Sequence, residues 1–450
     1  MSVSAGNMSS TSPPRLLDAA NTLLLGTALF GLAVRTNSPG AGLAALVATI
    51  AIGAAMWMTR PAESPSATDW DTGERLLLFV ALGFGVLTVA GWAPSTIGPT
   101  TQVLERFPGV AWAGLAVIVL MARQKPSTRV LAVSVTVATL LLTLLVGLAH
   151  LQQVDGVGLD VTLLHTAAAD AIANGQNPYT DAVEVPNGSP TAEPGDTIVG
   201  YPYPPVTAIS YAVGQWVFDD PRYTSLISWL IVLGLVGLHA IRRLDRTSLA
   251  MMVLLASVPG WPLVLRAGWT EPLSLLFLVA AFFTWKGLSG SGVFLGLGLA
   301  SKQYFVVTAP VALLHRDQGW VRRLLVAVSV IVATVGVALV LDFEAFWSAA
   351  VEFHTSTPPR HDSSNLLGLL NALGIAWSPP TILSLVVGLV AAVIVGRMSR
   401  TRRTFAVAVG FTLAVSFLVS SQAFANYWFL VFGLCVLGML GSHLRPRALS

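Results

Sequence analysis

The sequence predicts an all-α, polytopic membrane protein, and the two main reasons are its composition and its apolar runs. Of its 450 residues, 54% are hydrophobic and only 10% are charged, and the mean hydropathy is +0.73. A soluble domain carries roughly 25% charged residues. The composition therefore excludes a soluble enzyme, a disordered protein and a nucleic-acid-binding module.

The apolar runs predict about 14 membrane crossings, because a spanning helix needs about 20 apolar residues. Each run is bounded by glycine, proline or charge. The runs lie at about 16–34, 41–58, 76–92, 109–122, 130–149, 203–218, 224–241, 247–265, 271–285, 291–315, 324–341, 380–396, 404–421 and 424–441. The single cysteine, Cys435, lies in the last run, and one cysteine excludes a disulfide framework.

These runs divide the chain into five parts. They are a polar tail at 1–14, expected to be disordered and cytoplasmic, N-terminal membrane helices at 15–129, a core at 130–341 that includes a polar loop at 150–223, a second polar loop at 342–379, and C-terminal membrane helices with a short tail at 380–450. Loops as long as these two are usually functional or disordered. Their composition favours function over a pair of solvated connectors.

Lysine and arginine accumulate on the cytoplasmic side of membrane proteins, and here they form five clusters. The clusters lie at 123–129, 242–246, 316–323, 397–403 and 445–447. No lysine or arginine lies between Arg129 and Arg222, whereas that interval contains nine of the 22 acidic residues. We therefore expect a multi-pass protein of the plasma membrane with both termini in the cytoplasm and both long loops outside.

Two arrangements of the middle of the chain satisfy this orientation. In the first, the run at 203–218 lies on the membrane or dips into it, and 291–315 forms two short helices that meet near Ser301 and Lys302. In the second, each of these runs crosses once, which leaves the arginines at 242–246 outside. We favour the first, because the second breaks the rule for positive charge.

The first loop contains a predicted amphipathic helix over Asp160–Ala173, ended by Gly175. The side chains expected on its apolar side are Leu163, Leu164, Ala167, Ala168 and Ile172. Asn177, Pro178 and Tyr179 follow the helix. Later come Tyr201, Pro202, Tyr203, Pro204 and Pro205, a pattern typical of a rigid turn docked at the membrane interface.

This order of motifs resembles the catalytic loop of the GT-C superfamily of polyprenyl-phosphate-sugar-dependent glycosyltransferases. It is most similar to the glycosyltransferase family 87 mannosyltransferase group. Residues 296–304 (GLGLASKQY) resemble that group's small-residue helix followed by a lysine, and 363–368 (SSNLLG) resemble a polar signature in its later loop. The likeness covers about 150–315 and, more weakly, 340–375. In most family members the catalytic loop follows the first helix, whereas four extra crossings precede it here.

The resemblance implies a GT-C-type helical bundle and an inverting transfer of a sugar, mannose in the most similar group. The donor would be a polyprenyl-phosphate sugar and the acceptor an extracytoplasmic glycan or glycolipid. Phosphate is already a good leaving group, so the reaction needs one base and positive charge near the phosphate. The expected partners are membrane lipids and these two substrates, without nucleic acid, metal or cofactor.

Asp160 is the predicted base, because it matches the family's aspartate in position before the helix and the Pro-Tyr motif. Its alternative role is an N-cap of that helix, for which aspartate is well suited. Asp155 is the second candidate for the base.

Arg266 and Lys302 are the predicted contacts to the donor phosphate, since both are cations expected on the outer side. Their alternative role is snorkelling to the interface. We assign Glu271 to the acceptor or to orienting Arg266. Tyr179 and Tyr203 are assigned to the acceptor or to shaping the loop.

Two histidines, His354 and His361, lie in the second loop and could contact donor phosphate or sugar. A solvated surface position is the alternative for each. We prefer His361, because it adjoins 363–368.

Two other functions remain open at this stage. A transporter or lipid flippase would carry broken helices in matching halves and charges near the middle of the membrane. A glycan polymerase or ligase is expected to carry many external arginines and histidines, whereas the first loop has no arginine before Arg222.

Overall fold

A computed structural model describes residues 115, 129–152, 160–180, 182–184, 197–244, 246–258, 261–356, 359–360 and 363–440. The predicted tail at 1–14 and nearly all of the helices expected at 15–129 lie outside these residues. The described part is helical, as predicted, apart from one hairpin. In that hairpin β1 (Ala182–Glu184) pairs antiparallel with β2 (Thr197–Val199), with Val183 opposite Ile198.

The helices of the first half are α1 (Arg129–Gln152), α2 (Asp160–Ala173), α3 (Pro205–Phe218), α4 (Tyr223–Arg243), α5 (Arg246–Ala256), α6 (Trp261–Arg266), α7 (Glu271–Phe283) and α8 (Leu288–Leu299). A 3₁₀ helix (Gln303–Thr308) then leads into α9 (Ala309–Leu314).

The helices of the second half begin with α10 (Trp320–Ile331), which continues through a π turn (Val332–Gly336) into α11 (Val337–Leu341). The second loop contains α12 (Phe343–Trp347), a π turn (Ser348–Glu352), α13 (Phe353–Ser356) and α14 (Leu366–Ala372). The last helices are α15 (Thr381–Gly396), α16 (Arg402–Leu418) and α17 (Ala425–Leu440).

Three stretches of the described chain are long and apolar enough to cross a membrane. They are Arg129–Gln152, Tyr223–Arg243 and Trp320–Leu341. Apolar faces that shorter helices leave exposed also agree with a lipid environment. On α15, for example, four apolar side chains spaced four residues apart lie on one face of the helix. Each is at least half exposed: Ile382, Val386, Val390 and Ile394.

The bundle has a basic end, where the arginine-rich connections meet. The backbone N–H of Arg316 donates to the carbonyl of Ser399 at 3.1 Å. Trp285 Nε1 donates to Asp317 at 2.6 Å, and Arg402 donates to the carbonyl of Phe282 at 3.3 Å. The connections after α7, α9 and α15 therefore lie together, and Arg243 at the end of α4 is close enough to Arg402 to interact with it electrostatically.

The opposite end, which we call the loop end, holds the two long loops and the connections after α6 and α8. Asn177 Nδ2 lies 3.4 Å from Asp342 Oδ2. Thr207 donates to the carbonyl of Ser301 at 2.5 Å. The connections predicted to lie in the cytoplasm therefore group at one end of the bundle, and the loops predicted to lie outside group at the other.

The chain turns back at 300–302, between α8 and the 3₁₀ helix. Ser301 lies at the loop end against Thr207, whereas His315, after α9, lies at the basic end with its Nδ1 2.6 Å from Ser399 Oγ. Residues 291–315 therefore run to the loop end and return, which is the geometry of the first arrangement.

Helix α3 begins and ends at the loop end. Thr207, near its start, contacts Ser301, and Tyr211 donates to the carbonyl of Trp269 at 3.1 Å. Near the end of α3, Trp216 Nε1 donates to the carbonyl of Ala169 on α2, in the first loop, at 3.3 Å. A helix with both ends at one end of the bundle does not traverse it.

Helix α2 has the predicted bounds, and Gly175 takes φ +69° after its end. Its buried face differs from the prediction at several positions, one of which is Ile172, half-buried rather than buried. Leu164 and Ala168 are buried as expected, whereas Leu163 and Ala167 are only half-buried and His165 is fully buried. Polar His165 replaces apolar side chains in the interior because both of its ring nitrogens have hydrogen-bond partners there.

Candidate functional site

Four aromatic side chains join the two long loops into one body. The ring of Tyr179 packs edge-on against Phe346 of α12 at 5.0 Å, and its hydroxyl donates to the carbonyl of Tyr203 at 3.1 Å. The backbone N–H of Tyr201 donates to the carbonyl of Pro178 at 2.9 Å. Tyr179, Tyr201 and Tyr203 are all buried. Tyr179 therefore contacts both long loops.

Gly200 permits this close packing. It takes φ +77°, and a Cβ at this position would collide with the carbonyl of Tyr179 and the side chain of Ala349. Only glycine combines that conformation with so close an approach of two backbones.

Lys302 and Glu271 form a buried ion pair at the centre of the loop end. Lys302 Nζ lies 3.3 Å from Glu271 Oε1, and the two residues are 4% and 0% exposed. The hydroxyl of Tyr304 donates to the same oxygen at 3.3 Å. Lys302 also lies over the ring of Tyr203, 4.1 Å from its centroid, a favourable cation–π geometry.

The turn at 300–302 holds Lys302 in this position. Ser301 Oγ lies 2.7 Å from Ser274 Oγ on α7, and the carbonyl of Ser301 accepts from Thr207 on α3. Burial lowers the pKa of Lys302, and the adjacent carboxylate of Glu271 opposes that shift. The predicted cation is therefore present, but Glu271 already balances its charge.

His165, which the sequence analysis did not select, connects three segments of the site. The carbonyl of Gly268 can only accept, so His165 Nε2 donates to it at 3.0 Å, and Nδ1 accepts from the hydroxyl of Tyr201 at 2.7 Å. Its ring stacks on Tyr211 at 3.8 Å. Burial lowers its pKa to about 3, so it is neutral at physiological pH.

The predicted base Asp160 is the first residue of α2, at the loop end, and its side chain lies outside the described part. Gly268 packs close to the start of this helix, because a Cβ built on it would lie 2.9 Å from Thr162 Oγ1. The connection that carries Arg266 and Glu271 therefore adjoins the start of α2. The other candidate, Asp155, also lies outside the described residues.

Arg266 is half-buried at the end of α6. It lies close enough to His150, near the end of α1, to interact with it electrostatically. Arg222 was not selected from the sequence; it forms an ion pair with Asp220 at 2.7 Å and donates to the carbonyl of Leu151 at 3.2 Å. These contacts fix the end of α1 beside the first loop.

Of the two predicted histidines, His354 belongs to the site and His361 lies outside the described residues. His354 Nε2 donates to the carbonyl of Pro202 at 2.9 Å, and its ring lies 6.2 Å from that of Tyr203. Burial, with a smaller contribution from Lys302, lowers its pKa to about 4. A neutral His354 can donate a hydrogen bond but supplies no positive charge at pH 7.

The segment 363–368 has a structural role. Asn365 caps α14 by accepting from the N–H of Gly368, and its amide donates to the carbonyl of Ser420 at 2.8 Å. Trp428 Nε1 donates to the carbonyl of Ser364 at 2.6 Å. These bonds anchor the second loop to the turn between α16 and α17.

The fold and the site define a helical protein with membrane-compatible helices and a polar, aromatic site at one end of the bundle. Within the described ranges no three histidine, cysteine, aspartate or glutamate side chains lie close enough to hold a metal ion. No family model, curated protein or solved structure matches this chain.

Proposed function

We propose that this protein is an integral membrane glycosyltransferase that takes its sugar from a polyprenyl-phosphate donor. The acceptor is an extracytoplasmic glycan or glycolipid, and the transfer inverts the anomeric centre. The observation that carries the proposal is that site residues and segments predicted from distant parts of the sequence lie together at the loop end. The helix that begins at Asp160, the tyrosine-proline turn, Arg266, Glu271, Lys302 and His354 all meet there.

Asp160 is the proposed base that removes the proton of the acceptor hydroxyl. Its position at the start of α2, beside the connection that carries Arg266, supports this role. A carboxylate and a cation would act on the two ends of one reaction, the attacking hydroxyl and the departing phosphate.

Arg266 is the proposed contact to the donor phosphate. Lys302 was predicted to share this role, but its charge is balanced by Glu271 at 3.3 Å. We place the phosphate contact at Arg266 because it ends α6, next to the connection that adjoins the start of α2. Mannose is the first sugar to test.

The experiment is a transfer assay with purified protein in lipid nanodiscs, a polyprenyl-phosphate sugar and a membrane glycolipid acceptor. Asp160→Asn is expected to lower kcat by about 100-fold or more, since a general base contributes roughly 10²–10⁴. Asp170→Asn is the matched control, because Asp170 is an exposed aspartate on the same helix. It should keep near-native activity.

Two outcomes would contradict parts of the proposal. Near-native transfer by Asp160→Asn together with loss of transfer in Asp155→Asn would move the base to Asp155. If wild-type protein transfers no sugar and neither substitution has an effect, the enzymatic function itself is wrong.

A further inference from the structure

One oxygen of the central ion pair has no partner. Both Lys302 and the hydroxyl of Tyr304 contact Glu271 Oε1, whereas Oε2 is buried and has no hydrogen-bond partner. A buried carboxylate oxygen without a partner costs free energy. A ligand that donates a hydrogen bond to Oε2 would remove this cost.

Aromatic rings surround the pair. Lys302 lies over the ring of Tyr203, and 5.7 Å from the ring centroid of Tyr304. The rings of Tyr304 and Tyr427 are 5.4 Å apart. Tyr304 and Tyr427 are half-buried, whereas Glu271 is fully buried. The two rings therefore keep part of their surface accessible beside the buried ion pair.

The charge of this surface selects against a phosphate. The ammonium of Lys302 and the carboxylate of Glu271 cancel, and the unpartnered atom is an acceptor that repels an anion. The cluster instead offers an unpartnered acceptor for a hydroxyl, next to flat rings for the apolar face of a ligand. A neutral, hydroxylated ring combines these two properties.

We propose that Glu271, Tyr304 and Tyr427 form a subsite for a neutral sugar ring, in which a ring hydroxyl donates to Glu271 Oε2. The inference rests on the proposed function, because it assigns part of the same site. The ring belongs either to the acceptor or to the sugar carried by the donor. In both cases Glu271 is a binding residue and Lys302 positions it.

The first test measures kinetics in nanodiscs, so that no sugar-headed detergent competes. Glu271→Gln should raise the KM of one sugar-bearing substrate by about 10- to 100-fold, the loss expected for a hydrogen bond to a charged group. A rise for the acceptor places the acceptor ring here, and a rise for the donor places the donor ring here. Inhibition by polyprenyl phosphate, which has no sugar, should change less than about twofold. Glu344→Gln, at an exposed glutamate of α12, is the matched control.

A second variant separates ligand binding from the stability of the pair. Glu271→Gln alone leaves Lys302 buried without its partner, whereas Glu271→Gln combined with Lys302→Met restores neutrality. The double variant should fold and still show the raised KM. Tyr304→Phe, which removes only the hydroxyl that donates to Oε1, should change the same KM by less than about tenfold.

A binding measurement keeps the inference independent of transfer. Methyl glycosides of mannose, glucose and galactose at millimolar concentration should raise the melting temperature of wild-type protein more than that of Glu271→Gln. If no transfer occurs but this difference appears, the proposed function fails and the sugar subsite stands. If the KM values and the glycoside effects are unchanged, or if only inhibition by polyprenyl phosphate weakens, the subsite is wrong.

Discussion

Lys302 and Glu271 show how much of the site is set by single residues. The sequence alone selects both, because ionisable side chains at a membrane edge are rare and costly. Their pairing is not predictable from the sequence, since 31 positions separate them and the contact depends on the turn at 300–302. His165 escaped selection for a related reason. A histidine in an alanine-rich helix carries no local sign that Tyr201 and Gly268 satisfy both of its nitrogens.

The buried pair predicts a specific pattern of stability. Lys302→Met leaves a carboxylate buried without its partner and should destabilise the fold by about 3–5 kcal/mol. Adding Glu271→Gln to this variant should recover a large part of the loss, because the uncompensated charge disappears. Thermal unfolding of the single and double variants measures both effects. Additive losses would show that the two side chains do not interact.

The lowered pKa of His354 predicts acid sensitivity. Because its folded-state pKa is about 4, below the ordinary 6.5, the unfolded chain binds the proton more readily over that range. Stability is therefore complete above about pH 6.5 and falls as the pH drops towards 4. His354→Gln keeps a donor for Pro202 and should make the melting temperature less dependent on pH. Equal pH dependence in both proteins would contradict a buried, neutral His354.

At the scale of elements, the sequence predicts where a helix begins and ends better than it predicts which side of the helix is buried. The composition and Gly175 define α2 from Asp160 to Ala173, as the structure has it. Its interior face includes His165, which hydropathy alone assigns to the surface. The reversal at 300–302 follows from the placement of arginines, because Arg242 and Arg316 can lie at one end only if 291–315 turns back. No local propensity marks that turn.

Labelling from one side of the membrane tests this arrangement. In a Cys435→Ala background, Asn174→Cys and Asp219→Cys should react with an impermeant maleimide added outside intact cells, and Lys286→Cys should not. All three positions are exposed. If Asp219→Cys reacts only from the same side as Lys286→Cys, then α3 crosses the membrane and the second arrangement is correct.

The whole molecule is asymmetric in charge. At the basic end several cations are exposed, among them Arg242, Arg243, Lys286 and Arg316. At the loop end, within the described residues, three cations have specific contacts: Lys302 pairs with Glu271, Arg222 pairs with Asp220, and Arg360 lies 4.7 Å from the ring centroid of Phe424. The sequence predicts this division from charge alone. It does not predict the pairing of Lys302 with Glu271 or the contact of Arg360 with Phe424, because these partners come from distant segments.

We propose that the loop end transfers a sugar from a lipid phosphate. The most direct measurement supplies the purified protein, in proteoliposomes, with radiolabelled polyprenyl-phosphate mannose and a membrane glycolipid. We expect the label to move to the glycolipid, and no transfer when a nucleotide sugar is the donor. If the label stays on the polyprenyl phosphate while that lipid moves between the two leaflets, the protein is a flippase and the account is wrong.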